Sequence, residues 1–200
     1  MNCKGLNFDN KNRDVYPGFF SFTSSYSKNM KYIITLLLLI PTLSYSQAKE
    51  KGRDFPITQL KTLDGQTIST SDFQNDGKPI IVSFWATWCK PCVNELTNMA
   101  EVYDEWKEKT GVKIIAISID DARNMTKVAP FVNGKGWDYE VYLDPNSDLK
   151  RALNINLIPH TFLLNADKQI VWQHNSYTEG DELKLFELVK QLSEGKTIAE

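Results

Sequence analysis

Two cysteines separated by two residues, Cys89 and Cys92, are the side chains in this sequence whose types and spacing most clearly allow chemistry. An exposed thiolate attacks the disulfide of another molecule, and a neighbouring thiol then resolves the mixed disulfide that forms. Residues three positions apart share one face of a helix, so this pair can also close a disulfide of its own. The spacing predicts thiol–disulfide exchange, with Cys89 as the attacking sulfur and Cys92 as the resolving sulfur.

The neighbouring sequence predicts that the cysteines lie where a strand ends and a helix begins. Residues 79–84 are apolar and rich in β-branched side chains, as in a short buried strand. Residues 93–109 repeat apolar side chains at three- and four-residue steps, the period of a helix. The unpaired N–H groups of a helix start favour an anion, which stabilises a thiolate at Cys89. Two neighbours tune the site: Lys90 adds positive charge, and Pro91 suits a first turn where its missing N–H needs no partner.

A structural zinc site and a structural disulfide are two other uses of a CxxC pair. Zinc usually takes four ligands, and the two histidines, His160 and His174, have no spacing that matches a zinc site. A structural disulfide more often joins distant segments, because so short a loop constrains the unfolded chain little. Both uses are disfavoured, so we expect neither a metal nor another cofactor and interpret the histidines as ordinary strand residues.

Residues 80–92, followed by Glu95, resemble the TlpA/ResA-type thiol–disulfide oxidoreductases, which are extracytoplasmic members of the thioredoxin superfamily. The resemblance extends from about Phe55 to Leu192 and is most specific around the cysteines. It implies an α/β fold: a single thioredoxin-like domain with a mixed central sheet, helices on both faces and an N-terminal β-hairpin. It also implies the reduction of disulfides in client proteins with cysteine pairs, such as the heme-binding cysteines of apocytochrome c.

The remaining sequence predicts the elements of such a fold, in the order strand, helix, strand that favours parallel pairing. A charged leader over 48–54 is expected to be flexible. Predicted strands cover 55–60 and 66–69 as the N-terminal hairpin, then 112–119, 139–143, and 160–164 with 169–174 as a terminal hairpin. Asp120–Asp121 is predicted to cap a helix that runs to about Val132, and further predicted helices cover 147–153 and 181–192.

Glu95 lies three residues after Cys92 and is open to two interpretations. Charged residues mostly face water, which favours a solvated carboxylate on the helix surface. The TlpA/ResA resemblance instead implies a catalytic role, in which Glu95 has a pKa raised by burial and relays a proton to Cys92. Thioredoxins proper keep an acid on the preceding strand, where this chain has Ser83. A serine there and a glutamate at 95 together favour the exported branch of the superfamily.

The resemblance also implies residues that position the client beside Cys89. Pro159 precedes a strand, where proline is common for purely structural reasons. In the thioredoxin superfamily a cis-proline that faces the CxxC pair stands at this point, so Ile158–Pro159 is predicted to be cis, to hold the client backbone and to exclude metal. Trp85 and Trp88 flank the site. Both can pack in the core, both can form a surface for the client, or one can do each, and we expect Trp88 to position the client.

Two alternative functions belong to other classes. Peroxiredoxins share the fold, but their signature places a threonine three residues and a proline seven residues before the reactive cysteine. This chain has Ala86 and Val82 at those positions, which argues against a thiol peroxidase. A non-catalytic binding module on a thioredoxin scaffold is the second alternative, and the intact cysteine pair argues against it.

The composition is that of an ordinary globular domain. The chain has 200 residues, of which 42% are hydrophobic and 24% charged, with a net charge of −2. This charge gives no indication of nucleic-acid binding, which usually requires a strongly basic surface. We expect a monomer whose partners are client proteins and a membrane thiol reductant that acts upstream.

The N-terminal sequence predicts export. Residues 30–46 have a basic start, a short apolar core and small residues before Gln47, the parts of a secretory signal. The apolar core is shorter than the roughly 20 residues of a membrane-spanning helix, although an uncleaved anchor is an open alternative. Residues 1–29 show no periodicity and are interpreted as an upstream extension that is not part of the protein, which leaves 47–200 as the thioredoxin-like domain.

Export also bears on the cysteines. Cys3 precedes the signal, so Cys89 and Cys92 are the two cysteines of the mature chain. One adjacent pair in an exported protein indicates a redox-active site rather than a disulfide scaffold. The expected location is the periplasm of a Gram-negative-type bacterium, with the protein either soluble or anchored by its uncleaved N-terminal segment.

Overall fold

Eight short strands form a single mixed sheet within the residues that the structure describes. A computed structural model describes residues 52–198. The strands are β1 Arg53–Asp54, β2 Gln59–Thr62, β3 Thr67–Ser69, β4 Ile80–Trp85, β5 Lys113–Ser118, β6 Glu140–Leu143, β7 His160–Leu164 and β8 Gln169–Asn175. Their spatial order is β1-β8-β7-β4-β5-β6-β2-β3. β5 pairs in parallel with β4 and β6, and the other neighbours are antiparallel.

In the described part of the chain, four helices cover both faces of this sheet. They are α1 Lys90–Thr110, α2 Val128–Lys135, α3 Asp148–Ala152 and α4 Asp181–Ser193. Successive side chains of a strand point to opposite faces, and β4 accordingly contributes Ile81 and Trp85 to one half of the core and Val82 and Phe84 to the other. The first half packs against α1, α2 and α4, and the second against α3. The predicted α/β architecture is therefore confirmed.

β4 and α1 form the junction that positions the cysteines. All six residues of β4 are buried, because strands lie on either side of it and helices cover both faces. α1 ends at Thr110 and is capped by Gly111, whose φ of 68° is the left-handed conformation that favours glycine after a helix. The predicted junction between a buried strand and the helix that carries the CxxC pair is confirmed. The N-terminal hairpin of β2 and β3 is also confirmed, and it joins the sheet edge by pairing with β6.

The prediction of a flexible leader over 48–54 is wrong for its last two residues. Arg53 and Asp54 pair with Ile170 and Gln169 at the open edge of β8. An edge strand offers unpaired N–H and C=O groups, so a segment can bind to it through its backbone while its side chains stay polar. Hydropathy patterns do not detect such a strand because both of its side chains are exposed.

The prediction that a helix starts at Asp120–Asp121 is also wrong. α2 begins at Val128, after a 3-10 turn over Met125–Lys127. The Asp121 carboxylate accepts from the backbone N–H groups of residues 123 and 124, so it caps a turn instead. Asp120 is fully buried and bonds to other parts of the chain.

The predicted upstream extension, residues 1–29, and the predicted signal, residues 30–46, lie outside the described residues. Within 52–198, no helix has both the length and the apolar character needed to cross a membrane.

Candidate active site

Cys89 is the N-cap of α1, the residue just before its first turn. Its backbone N–H donates to the carbonyl of Ala86 at 3.0 Å, and its carbonyl accepts from the N–H of Val93 at 3.0 Å. Its Sγ accepts from the N–H of Cys92 at 3.3 Å. Sulfur at this position faces a donor that favours negative charge, as the sequence predicted.

Cys89 and Cys92 are joined as a disulfide, with the two Sγ atoms 2.02 Å apart. Cys92 is fully buried, whereas Cys89 is 6% exposed. This difference favours Cys89 as the sulfur that another protein can reach. Among residues 52–198, no group of three or more His, Cys, Asp or Glu side chains is placed to hold a metal ion.

The residues beside the cysteines divide between surface and core. Lys90 and Pro91 form the first two positions of α1, and both are exposed. Trp88 is 68% exposed, so it presents an apolar surface next to Cys89. Trp85 is fully buried and packs against the aromatic rings of residues 131 and 137. The two tryptophans are thus one of each kind, a core residue and a surface residue.

The loop before β7 lies at the same end of the sheet as Cys89. β7 pairs antiparallel with β4, and the register places His160 opposite Phe84, near the end of β4 that leads to the cysteines. The Ile158–Pro159 peptide bond is cis, as predicted. Pro159 is buried and Ile158 half-buried, and the Pro159 carbonyl accepts from the N–H of Ser176 at 3.0 Å. The sheet register therefore brings this loop to the active-site end.

Glu95 is buried, so its interpretation as a solvated surface residue is wrong. Only 6% of the residue is exposed. The hydroxyl of Ser83 donates to Oε2 at 3.0 Å, and the hydroxyl of Thr161 donates to Oε1 at 2.8 Å. These three residues come from β4, α1 and β7, one element each. Glu95 lies one helical turn beyond Cys92, on the same buried face of α1.

Burial raises the pKa of Glu95 to about 7, because the charged form loses its hydration. The hydrogen bonds from Thr161 and Ser83 oppose this rise, since they stabilise the carboxylate. The negative charges of Asp181 and Glu182, at the start of α4, raise the pKa further. The result is an acid whose charge changes near neutral pH, which suits a group that both releases and accepts a proton.

The hydroxyls of Ser83 and Thr161 can hold Glu95 in either protonation state. A third contact, of 3.1 Å, joins the hydroxyl oxygens of Thr161 and Ser83. When Glu95 is ionised, the hydroxyl protons of Ser83 and Thr161 both point to its carboxylate, and no proton lies between the two hydroxyl oxygens. When Glu95 is protonated, its own proton can go to Ser83, whose hydroxyl turns to Thr161, so that each contact has one donor. A proton can therefore be added without breaking the network.

A Thr161→Val variant is expected to raise the pKa of Glu95 above its value of about 7, because it removes a donor that stabilises the carboxylate. Carboxyl-carbon NMR titration of the oxidised protein measures this change. Thr110→Val is the matched control, since it also removes a buried hydroxyl but one that donates to Trp106. A Glu95 titration that is the same in wild type and Thr161→Val would contradict the network.

Sequence reasoning did not identify the roles of Ser83 and Thr161. Each is a hydroxyl residue directly between apolar strand residues or next to them, which was the available signal. It also missed Tyr177, whose hydroxyl accepts from Asn98 of α1 at 2.6 Å and donates to Glu182 of α4 at 2.7 Å. These contacts hold the segment between β8 and α4 against the active-site helix.

The two histidines are strand residues, as predicted. His160 begins β7 and stacks on Phe162, with ring centroids 4.6 Å apart, and burial lowers its pKa. His174 lies in β8 and stacks on Trp172, with ring centroids 5.8 Å apart.

Comparison with known proteins identifies similar chains over most of the described region. A family model described as the AhpC/TSA family matches residues 51–173. The chain is 33% identical over 150 residues to the thiol-disulfide oxidoreductase ResA of Bacillus thuringiensis (strain Al Hakam). The alignment covers 70% of this chain and 84% of that protein.

Solved structures give the same picture of the fold. An uncharacterized thioredoxin-like protein from Porphyromonas gingivalis is 46% identical, with a TM-score of 0.64 over 72% of this chain and 95% of that one. StoA from Bacillus subtilis is 27% identical, with a TM-score of 0.54 over 66% of this chain and 97% of that one.

Proposed function

The chain belongs to the AhpC/TSA family and, within it, to the thiol–disulfide oxidoreductases of the ResA type, and from this premise we propose that it reduces the disulfides of exported client proteins. One arrangement supports this function above all others: a cysteine pair at the start of α1, with a buried acid one turn further along the helix. The pair supplies two electrons, and the acid supplies a place for a proton.

In the first step the thiolate of Cys89 attacks one sulfur of a client disulfide. The client S–S bond breaks, a mixed disulfide forms with Cys89, and the other client sulfur leaves as a thiolate. Cys92 then loses its proton and attacks the Sγ of Cys89, which releases the second client sulfur. The client gains two electrons and takes up two protons, and the Cys89–Cys92 pair becomes oxidised. A membrane thiol reductant upstream returns the pair to the dithiol.

Glu95 accepts the proton of Cys92 and later releases it. Cys92 is fully buried, so water has little access to its thiol. A carboxylate on the same helical face can accept the proton when Cys92 becomes a nucleophile, and a pKa of about 7 lets it release that proton afterwards. The hydroxyls of Ser83 and Thr161 hold the acid in place throughout.

The client polypeptide binds around Cys89 on surfaces from two loops. Trp88 is the exposed apolar side chain next to the nucleophile. Ile158 and Pro159 lie at the same end of the sheet and hold the client backbone. Lys90 and Pro91 tune the thiolate at the helix start.

The protein acts outside the cytoplasm, as the basic start and apolar core of residues 30–46 indicate. We place it in the periplasm of a Gram-negative-type bacterium, as a monomer that is either soluble or anchored by an uncleaved signal. Its clients include proteins with cysteine pairs such as the heme-binding cysteines of apocytochrome c. Nucleic acid has no part in this function.

Two features of the site act on the direction of electron flow in opposite senses. A thiolate stabilised at the start of α1 favours the reduced pair and makes the protein more oxidising. A carboxylate at Glu95 disfavours the thiolate and makes the protein more reducing. For a two-electron couple about 30 mV corresponds to 1.4 kcal/mol, so the measured reduction potential of the pair fixes its role.

An insulin-reduction assay with dithiothreitol, run beside a peroxide-consumption assay, tests the proposed function. We expect accelerated precipitation of insulin chains and no peroxide turnover above the thiol background, because Val82 and Ala86 stand where a peroxidase has proline and threonine. Peroxide turnover without insulin reduction would favour a peroxidase. Inactivity in both assays would favour a non-catalytic binding module.

A further inference from the structure

A buried carboxylate, Asp120, contacts the loop that leads into the nucleophile. Asp120 follows β5 and is fully buried. Its Oδ2 accepts from the backbone N–H of Thr87 at 2.8 Å and from the hydroxyl of Ser118 at 2.8 Å. Its Oδ1 accepts from the hydroxyl of Thr87 at 2.7 Å. Three neutral donors thus compensate the burial of this carboxylate, and two of them belong to one residue of the loop.

Thr87 lies inside the turn that places Cys89. The loop joins β4 to α1, and the N–H of Cys89 donates back to the carbonyl of Ala86. Thr87 is therefore enclosed by the two residues whose hydrogen bond closes the turn. A second link joins the same segments, since the N–H of Ile119 donates to the carbonyl of Trp85 at 2.9 Å. Ile119 and Asp120, just after β5, thus bind the segment before Cys89 at Trp85 and at Thr87.

We propose that Asp120 is a positioning residue for Cys89, acting through its two hydrogen bonds to Thr87. The inference rests on the proposed function in taking Cys89 as the attacking sulfur. Cys89 stabilises a thiolate only while it holds the N-cap conformation, with φ −91° and ψ 94°, in which its Sγ faces the N–H of Cys92. The clamp of Asp120 on Thr87 restricts the loop to the conformation that presents Cys89 in this way.

An Asp120→Asn variant distinguishes a role of Asp120 through its hydrogen bonds from a role through its charge. An asparagine side chain can keep all three contacts: its oxygen accepts from the Thr87 N–H and from Ser118, while its NH₂ group donates to the Thr87 hydroxyl, which can rotate to accept. Asp120→Asn therefore removes the charge and retains the clamp. Asp120→Ala removes both, and Thr87→Val removes one hydrogen bond while it keeps the shape of the side chain.

Alkylation of Cys89 in the reduced protein across a range of pH tests the proposal. Peptide mapping by mass spectrometry distinguishes Cys89 from the other cysteines. We expect Asp120→Ala and Thr87→Val to slow alkylation at pH 7 by about twofold to fivefold, the worth of one helix-terminus interaction, and to move the pH profile upward. Asp120→Asn is expected to restore most of the wild-type rate. No client is needed, so this result is independent of whether the insulin assay succeeds.

Asp144→Ala is the matched control. Asp144 is also a buried acid that follows a parallel strand, but its carboxylate accepts from the N–H groups of Asp148 and Lys150 in α3. We expect it to lower thermal stability and leave the Cys89 profile unchanged.

If Asp120→Ala and Thr87→Val lower stability without moving the profile, Asp120 has only a structural role and the proposal fails. A downward shift of the profile in both Asp120→Asn and Asp120→Ala would also overturn it, because loss of a negative charge stabilises a nearby thiolate and charge would then be the cause. If Asp120→Ala does not fold, the profile of Thr87→Val decides.

Discussion

A Cys92→Ser variant is expected to accumulate as covalent mixed disulfides with client proteins, while a Cys89→Ser variant accumulates none. Attack requires only the thiolate at the start of α1, and release requires the second sulfur. Cys92 is fully buried and one helical turn away, so no external thiol easily replaces it. Both variants are expected to lose insulin reduction down to the dithiothreitol background. Non-reducing gels followed by mass spectrometry of the captured proteins measure the trapping.

Cys89→Ser serves as the control, since it keeps one thiol and the same fold. Capture by Cys89→Ser and not by Cys92→Ser would reverse the assigned roles. The burial of the two residues supports Cys89 as the attacking sulfur, because Cys89 retains 6% exposure and Cys92 none.

A Glu95→Gln variant is expected to slow exchange by about 10²- to 10⁴-fold where proton transfer is limiting, the usual effect of losing a general acid–base group. Glutamine keeps the size of the side chain and an oxygen that can accept from Thr161 or Ser83. The cysteine pKa values are expected to fall, because the carboxylate that opposes a nearby thiolate is gone. Thiolate absorbance during titration of the reduced protein measures this, with the two steps assigned to the coupled set of groups. Superimposable titrations and equal turnover would exclude a role for Glu95 in proton transfer.

Glu95→Gln is also expected to change the pH dependence of the free energy of unfolding, an effect that does not involve the thiols. The pKa of Glu95 is raised from 4.5 to about 7 in the folded protein, so the folded state binds a proton more tightly than the unfolded state. Stability from this group is fully present below pH 4.5 and is lost as the pH rises through about 7, a change of about 3 kcal/mol. Denaturant unfolding of oxidised wild type and Glu95→Gln at pH 4.5 and pH 8 measures it. We expect the variant to lack this part of the pH dependence.

The junction at the cysteines could be predicted from sequence because its signals are local. An apolar β-branched segment, a CxxC pair and a helical period follow one another without interruption, and β4 and α1 have the predicted arrangement. The surroundings of Glu95 could not be predicted in this way. Ser83 and Thr161 are 78 positions apart and meet because β4 and β7 pair in one register out of many. Without that register, a buried glutamate and a surface glutamate have the same helical sequence pattern.

Asp120 illustrates a different limit. Its position before a predicted helix made it a candidate for a helix cap, which is the common use of an aspartate there. The structure uses it instead to bind Thr87, 33 residues earlier, because the parallel pairing of β4 and β5 brings the ends of both strands together. Local preference was overridden by a contact that only the assembled sheet provides.

The hydrogen bond between Ser83 and Glu95 shows that the strand and the helix share one site for an acid. Thioredoxins proper carry their acid on the strand, at the position of Ser83, whereas this chain carries it on the helix. The 3.0 Å contact shows that both positions point into one buried volume, so a carboxylate can reach it from either element. Two acids there would repel each other at close range in a medium that screens charge poorly. The strand and the helix therefore offer two alternative places for one acid, and a chain with a carboxylate on the helix needs only a neutral hydrogen-bond donor on the strand.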